Sequence, residues 1–86
     1  MDFHTIKSIK PLENMILEAV FLSGEIKRYD MKNLIKNNEN FKKLENKELF
    51  IKAKVDIGGY GIIWNENIDI SSEEIWENGI IVKKWL

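Results

Sequence analysis

Val55-Asp56-Ile57-Gly58-Gly59-Tyr60-Gly61-Ile62-Ile63-Trp64 runs on through Asn65-Glu66-Asn67 into Ile68-Asp69-Ile70-Ser71-Ser72-Glu73-Glu74-Ile75-Trp76, and the reading of this stretch decides the fold. A β-type run breaks at a three-glycine corner, where glycine supplies backbone angles that a side chain forbids. It resumes as a strand into Trp64, turns at Asn65-Glu66-Asn67 and continues through Ile68-Asp69-Ile70. Ser71 followed by Glu74 has the spacing of a capping box and starts a short helix anchored by Ile75 and Trp76. Asn78-Gly79 reads as its left-handed stop. At least one of Gly58, Gly59 and Gly61 is expected at positive φ.

Outward from this unit, Ile51, Ala53 and Val55 alternate with Lys52, Lys54 and Asp56, which predicts a strand with one wet face. The middle of the chain is irregular. Met31, Leu34 and Ile35 suit one or two helical turns, and Asn37-Asn38-Glu39-Asn40 interrupts them. Phe41 and Leu44 share a face of a further short helix, and Asn46 caps a turn holding Leu49 and Phe50. In the first third, Leu17, Ala19 and Phe21 fall on one face of a strand, and Ser23-Gly24 sits where a two-residue hairpin turn belongs. Glu25 to Tyr29 returns, with Ile26 inward and Lys27 outward. Ile6 and Ile9 are three apart, so the first strand is read as bulged, ending at Pro11.

The fold class is therefore α+β: an antiparallel three-stranded meander, short irregular helices, a second β-hairpin unit and a short capped C-terminal helix. One domain spans 1–86, with an apolar C-terminal tail at 80–86. Inward positions nominate Ile16, Leu17, Phe21, Ile26, Leu44, Phe50, Val55, Ile63 and Trp76 as core.

The 86 residues contain no cysteine, so disulfides and thiolate metal cages have no residues to build on, and a histidine-based triad would rest on His4 alone, beside the terminus. With 44% apolar residues, a core this small leaves only a thin margin, and a shared interface with a second chain would add to it. The N-terminus lacks the basic and apolar regions of a signal peptide, and no run approaches a membrane span, so a cytoplasmic protein is expected. Net charge is −1 but uneven. Residues 27–54 hold nine bases against four acids, whereas residues 55–78 hold six acids and no base. Such asymmetry attracts a second copy or an oppositely charged partner, unless the fold interleaves the two faces.

The order of Ile9-Lys10-Pro11-Leu12, Phe21-Leu22-Ser23-Gly24-Glu25, Tyr29-Asp30, Phe41, Leu44, Leu49-Phe50, Val55-Asp56, Ile63-Trp64 and Asp69-Ile70 resembles a bacterial family known as domain of unknown function 2442. The resemblance covers residues 5–78. Asn65-Glu66-Asn67 replaces a Pro-Asn-Gly-like turn of that family, and Ile75-Trp76 stands where Leu-Tyr is usual; both keep the structural role. The resemblance implies an isolated domain whose relatives occur alone, fused to a helix-turn-helix segment, or as the antitoxin-like half of two-gene modules. The chain ends too soon after this region for an appended DNA-binding segment, so DNA binding is not expected of it.

No catalytic, cofactor-binding or metal-ligating residue is assigned. Gly58-Gly59-Tyr60-Gly61 has neither the P-loop nor the dinucleotide-binding spacing and leads into a strand, so a structural corner explains it better than a phosphate cradle. Glu66, Asp69, Glu73, Glu74 and Glu77 lack the order of a calcium loop, and acids in a first helical turn are explained by the helix dipole. Lysines scattered around Tyr29 and Phe41, at a pI of 5.8, are a weak nucleic-acid signal. The expected function is a non-enzymatic interaction module, acting as a homodimer or as the partner of another small protein. Tyr60, Trp64, Trp76 and Trp85 are its candidate surface, since Tyr and Trp are enriched at interfaces. The alternatives are a small-molecule pocket near Gly58–Trp64 and an enzyme using the acidic cluster 66–77.

Overall fold

The computed structural model describes residues 3–84. Its first sheet begins with the expected meander: β1 (Ile6–Leu12), β2 (Ile16–Phe21) and β3 (Glu25–Asp30), all antiparallel. The expected bulge is present as a register shift between Ile6 and Ser8. Pro11 does not end β1. It pairs with Leu17, which a proline tolerates because β1 is an edge strand and needs no donor on its outer side. The β2–β3 loop has three residues, Leu22-Ser23-Gly24, rather than two. Gly24 donates its N–H to the Phe21 carbonyl (2.9 Å) and takes φ +96°, as a three-residue hairpin loop requires.

The helical middle follows as α1 (Lys32–Asn37), a 3-10 segment at Glu39–Glu45 and α2 (Lys47–Phe50), with the Asn46 side chain accepting from the Glu48 N–H at 2.9 Å. The strand expected from Ile51 is shorter than the alternation suggested. Ile51 and Lys52 form a turn with Ile51 exposed, and only Lys54–Val55 pairs, as β4. The second sheet is β4-β5-β6, with β5 at Gly61–Asn65 and β6 at Ile68–Ser71. The corner before β5 has Gly58 at φ +83° and Gly59 at φ +79°, as expected.

Next comes α3 (Ser72–Asn78), with the Ser71 hydroxyl accepting from the Glu74 N–H at 3.1 Å. Gly79 is not a left-handed stop, since its φ is −78°. Glycine is needed there because a Cβ would lie 2.5 Å from the Ile75 carbonyl oxygen. That close approach lets the chain turn back at once as β7 (Ile80–Lys84), antiparallel to β3, giving the order β1-β2-β3-β7. The apolar tail thus folds back on its own chain up to Lys84.

The core lies between the two sheets, α3 and the helical middle, and joins Leu17, Phe21, Leu44 and Phe50 with Ile6, Ala19, Met31, Ile62, Trp64 and Ile75. Ile16, Ile26, Val55, Ile63 and Trp76 are only half-buried. For Ile63 and Ile26 the reason is strand phase: β5 turns Ile62 and Trp64 inward, and β3 turns Lys27 and Tyr29 inward. Lys27, expected outside, is only 8% exposed.

Candidate interaction site

Alternation along β3 places Lys27 and Tyr29 beneath α3, and each is used. The Lys27 ammonium lies 4.2 Å from the Trp76 ring centroid and donates to the Trp76 carbonyl in the last turn of α3. A cation there faces the negative end of the helix while its methylene stem packs inside. Trp76 in turn stacks on His4 (3.8 Å, 9° between planes) and takes Phe21 edge-on at 5.0 Å. His4 is held by Glu73, whose carboxylate accepts the His4 backbone N–H at 2.7 Å and contacts Nδ1 at 2.9 Å. An ionised Glu73 can only accept, so Nδ1 carries a hydrogen.

That latch has a pH signature. The backbone N–H of His4, and then its ring, hold the Glu73 carboxyl below its usual pKa. A depressed carboxylate stabilises the folded state above its unfolded pKa and loses that contribution as pH falls through the folded value. The latch should therefore hold at neutral pH and release only below the ordinary glutamate range. An NMR titration of the His4 amide should show its inflection below that of an ordinary glutamate, and Glu73→Gln should abolish it. An inflection at the ordinary value would show that the contact has no energetic weight.

Further along β3, the Tyr29 hydroxyl donates to Glu74 Oε2 at 2.8 Å, and Asn78 Nδ2 donates to the same oxygen at 2.8 Å. Glu74 and Asn78 are four apart on one helix and so share a face. Burial, and then the neighbouring Glu74 carboxylate, raise the Tyr29 pKa above the ordinary phenol value, so the hydroxyl remains a donor. The Glu74 side chain is thereby turned away from the reciprocal half of the capping box. These three groups sit in a groove of about 840 Å³ that is also lined by Ile16, Asp30, Asn33, Leu34, Asn37, Ile80 and Val82.

Ile80 and Val82 belong to β7, which forms one end of the first sheet. One edge of β7 bonds to β3, and the other pairs with no strand among the described residues. Ile80, Ile81 and Val82 are 75%, 57% and 43% exposed. Charged or proline residues usually guard such an edge; on β7 the lysines come only after these three positions, at Lys83 and Lys84.

The expected aromatic surface does not assemble as one patch. Tyr60 is exposed and meets Phe3 edge-on at 5.5 Å. Trp76 is half-buried in its stack. Trp64 is only 6% exposed, its indole N–H donating to the Phe50 carbonyl at 3.0 Å, so it is a core residue. Trp85 lies outside the described residues. Near Gly58–Trp64 there is a hollow of about 280 Å³ lined by Phe3, Tyr60, Ser71, Ser72 and Glu73, without Trp64. The acids of 66–77 are divided: Glu66 and Asp69 are exposed on the second hairpin, Glu73 holds His4 and Glu74 holds Tyr29. Among the described residues no three His, Cys, Asp or Glu side chains converge as metal ligands. None of their helices is long and apolar enough to cross a membrane.

In the sequence Glu74 reads as a helix cap and a member of the acidic cluster, and Asn78 as part of a helix stop. Their joint role with Tyr29 depends on α3 lying over β3, which no local pattern announces.

Among the described residues, two antiparallel sheets, three short α-helices, a β7 edge without a partner strand and a groove beside it define a small α+β domain. Residues 6–80 match the family described as "Protein of unknown function (DUF2442)", and the chain belongs to that family. No curated protein and no solved structure matches the chain.

Proposed function

We propose that this domain is a non-enzymatic, cytoplasmic interaction module that docks another protein chain along the outer edge of β7. The docked chain is a second copy or a small protein partner, in the manner of an antitoxin-like pair. The observation that carries this reading is the open edge itself, with Ile80, Ile81 and Val82 exposed in succession. An extended segment added there gains main-chain hydrogen bonds and covers these side chains at once. The dispersal of the acids among separate structural partners supports a binding role over catalysis, which needs several groups convergent on one reacting atom. DNA is not the expected partner.

Sedimentation at micromolar concentration should give a mass above the 10.1 kDa monomer for the protein alone or mixed with its partner. Ile81→Lys and Val82→Lys should return it to monomer without unfolding it, because both side chains are already exposed and a lysine guards an edge. If the protein is strictly monomeric and no protein partner binds it, the small-molecule reading takes first place.

A further inference from the structure

We propose that Glu74 is a cation-recognition residue, and that the groove beside β7 receives a lysine or arginine side chain carried by the protein segment docked on that strand. This inference rests on the docking reading above and names the chemistry of its partner. The charges that line the groove are unequal in their surroundings. Arg28 Nε is engaged by Glu18 Oε2 at 2.9 Å, and Asp30 Oδ1 faces Lys32 Nζ at 3.2 Å. Among the side chains of residues 3–82, no cation lies within ion-pair distance of Glu74. Its Oε2 is held by two neutral donors, Tyr29 and Asn78, while Oε1 has no hydrogen-bond partner among residues 3–82. The two donors fix the carboxylate without neutralising it, leaving one oxygen for an incoming donor.

The rest of the groove suits the same guest. Ile16, Leu34, Ile80 and Val82 give an apolar wall for the methylene stem of a long cationic side chain. Asn33 and Asn37, four apart on α1, bring amide oxygens that accept the remaining N–H groups of an ammonium or guanidinium. Since Ile80 and Val82 are both groove wall and edge strand, a segment paired with β7 has its side chains beside Glu74. A charge-assisted bond of this kind is roughly twice as strong as a neutral one and adds selectivity to edge pairing, which reads backbone and not sequence.

The test uses the full chain and two labelled probes followed by fluorescence anisotropy: an alternating Thr/Val heptapeptide with a central lysine, and the same peptide with glutamine in its place. The lysine peptide should bind about tenfold more tightly than the glutamine peptide, the advantage expected of a hydrogen bond to a charged group. Raising the salt concentration should shrink that difference, and Glu74→Gln should remove it. Glutamine keeps an oxygen for Tyr29 and Asn78, and the peptide swap on unaltered protein stands even if the variant misfolds. Equal affinity of the two peptides, or a lysine preference that survives Glu74→Gln, overturns the proposal. If both peptides bind equally and Ile81→Lys blocks both, the edge reading survives while the cation site falls. N-acetyl-lysine methylamide binding as tightly as the peptide would make this a site for small amines and overturn the docked-segment assignment. If neither peptide binds, the cation site falls, and sedimentation then decides the docking reading separately.

Discussion

Phe21→Ala should cost about 3–5 kcal/mol, the range for removing a phenyl ring from a closed core. At the usual per-residue margin, a chain of 86 residues has a net stability of about 4–13 kcal/mol, so the variant loses a large share of it. Phe21 is 1% exposed and closes β2 opposite Ile6. Its ring also supports Trp76 edge-on, and Trp76 carries both His4 and the Lys27 ammonium. The cavity therefore opens beneath α3, which carries Glu74 and Asn78 into the groove, and loss of the Glu74–Tyr29 bond should accompany the loss of stability. Urea unfolding followed by circular dichroism measures the effect. A variant that melts within a few degrees of the parent protein would show that the core does not depend on this ring.

Much of that core could be read from spacing alone. Leu17, Ala19 and Phe21 alternate without interruption, and Gly24 and Asn46 mark their turn and cap by chemistry that is local. At β3 the difference arises because polarity does not report burial. From polarity alone, Ile26 belongs inside β3 and Lys27 outside. The real phase of the strand is the reverse, since the lysine stem packs against Trp76 while its head finds the carbonyl at the end of α3. Trp64 looked like a surface aromatic until the Phe50 carbonyl, fourteen residues away, proved to satisfy its only polar atom. Gly79 reads from the sequence as a left-handed stop, but its φ is −78° and part of its need for glycine, the approach to the Arg28 carbonyl, is tertiary information.

The candidate site was the least legible part. The apolar residues after Gly79 announced that something must cover them, and β7 covers them only in part by pairing with β3. Nothing in the local pattern says that β7 ends the sheet, or that its start forms one wall of a groove with Glu74 opposite. Those relations come from the order β1-β2-β3-β7, which is set by long-range register.

Gly59→Ala should be nearly as damaging as Phe21→Ala, at about 2–5 kcal/mol, although it adds a single methyl group. Two effects combine. At φ +79° an L-residue is strained by about 1–2 kcal/mol. The new Cβ would also lie 2.6 Å from the Ile6 carbonyl oxygen and 2.5 Å from Thr5 Cγ2, and overpacking of this kind costs about 1–3 kcal/mol more. The backbone oxygen cannot step aside without moving β1, so the corner and the first strand must separate. Gly58 provides the control within the same corner. Its φ is similar, +83°, but its Cβ would meet only the Tyr60 ring, at 2.7 Å. That ring is exposed and swings away, so Gly58→Ala should show little beyond the backbone strain of about 1–2 kcal/mol. The ranking separates conformational from steric need. Equal losses at both positions would mean that φ alone governs the corner, and a harmless Gly59→Ala would mean that β1 does not pack against it as described.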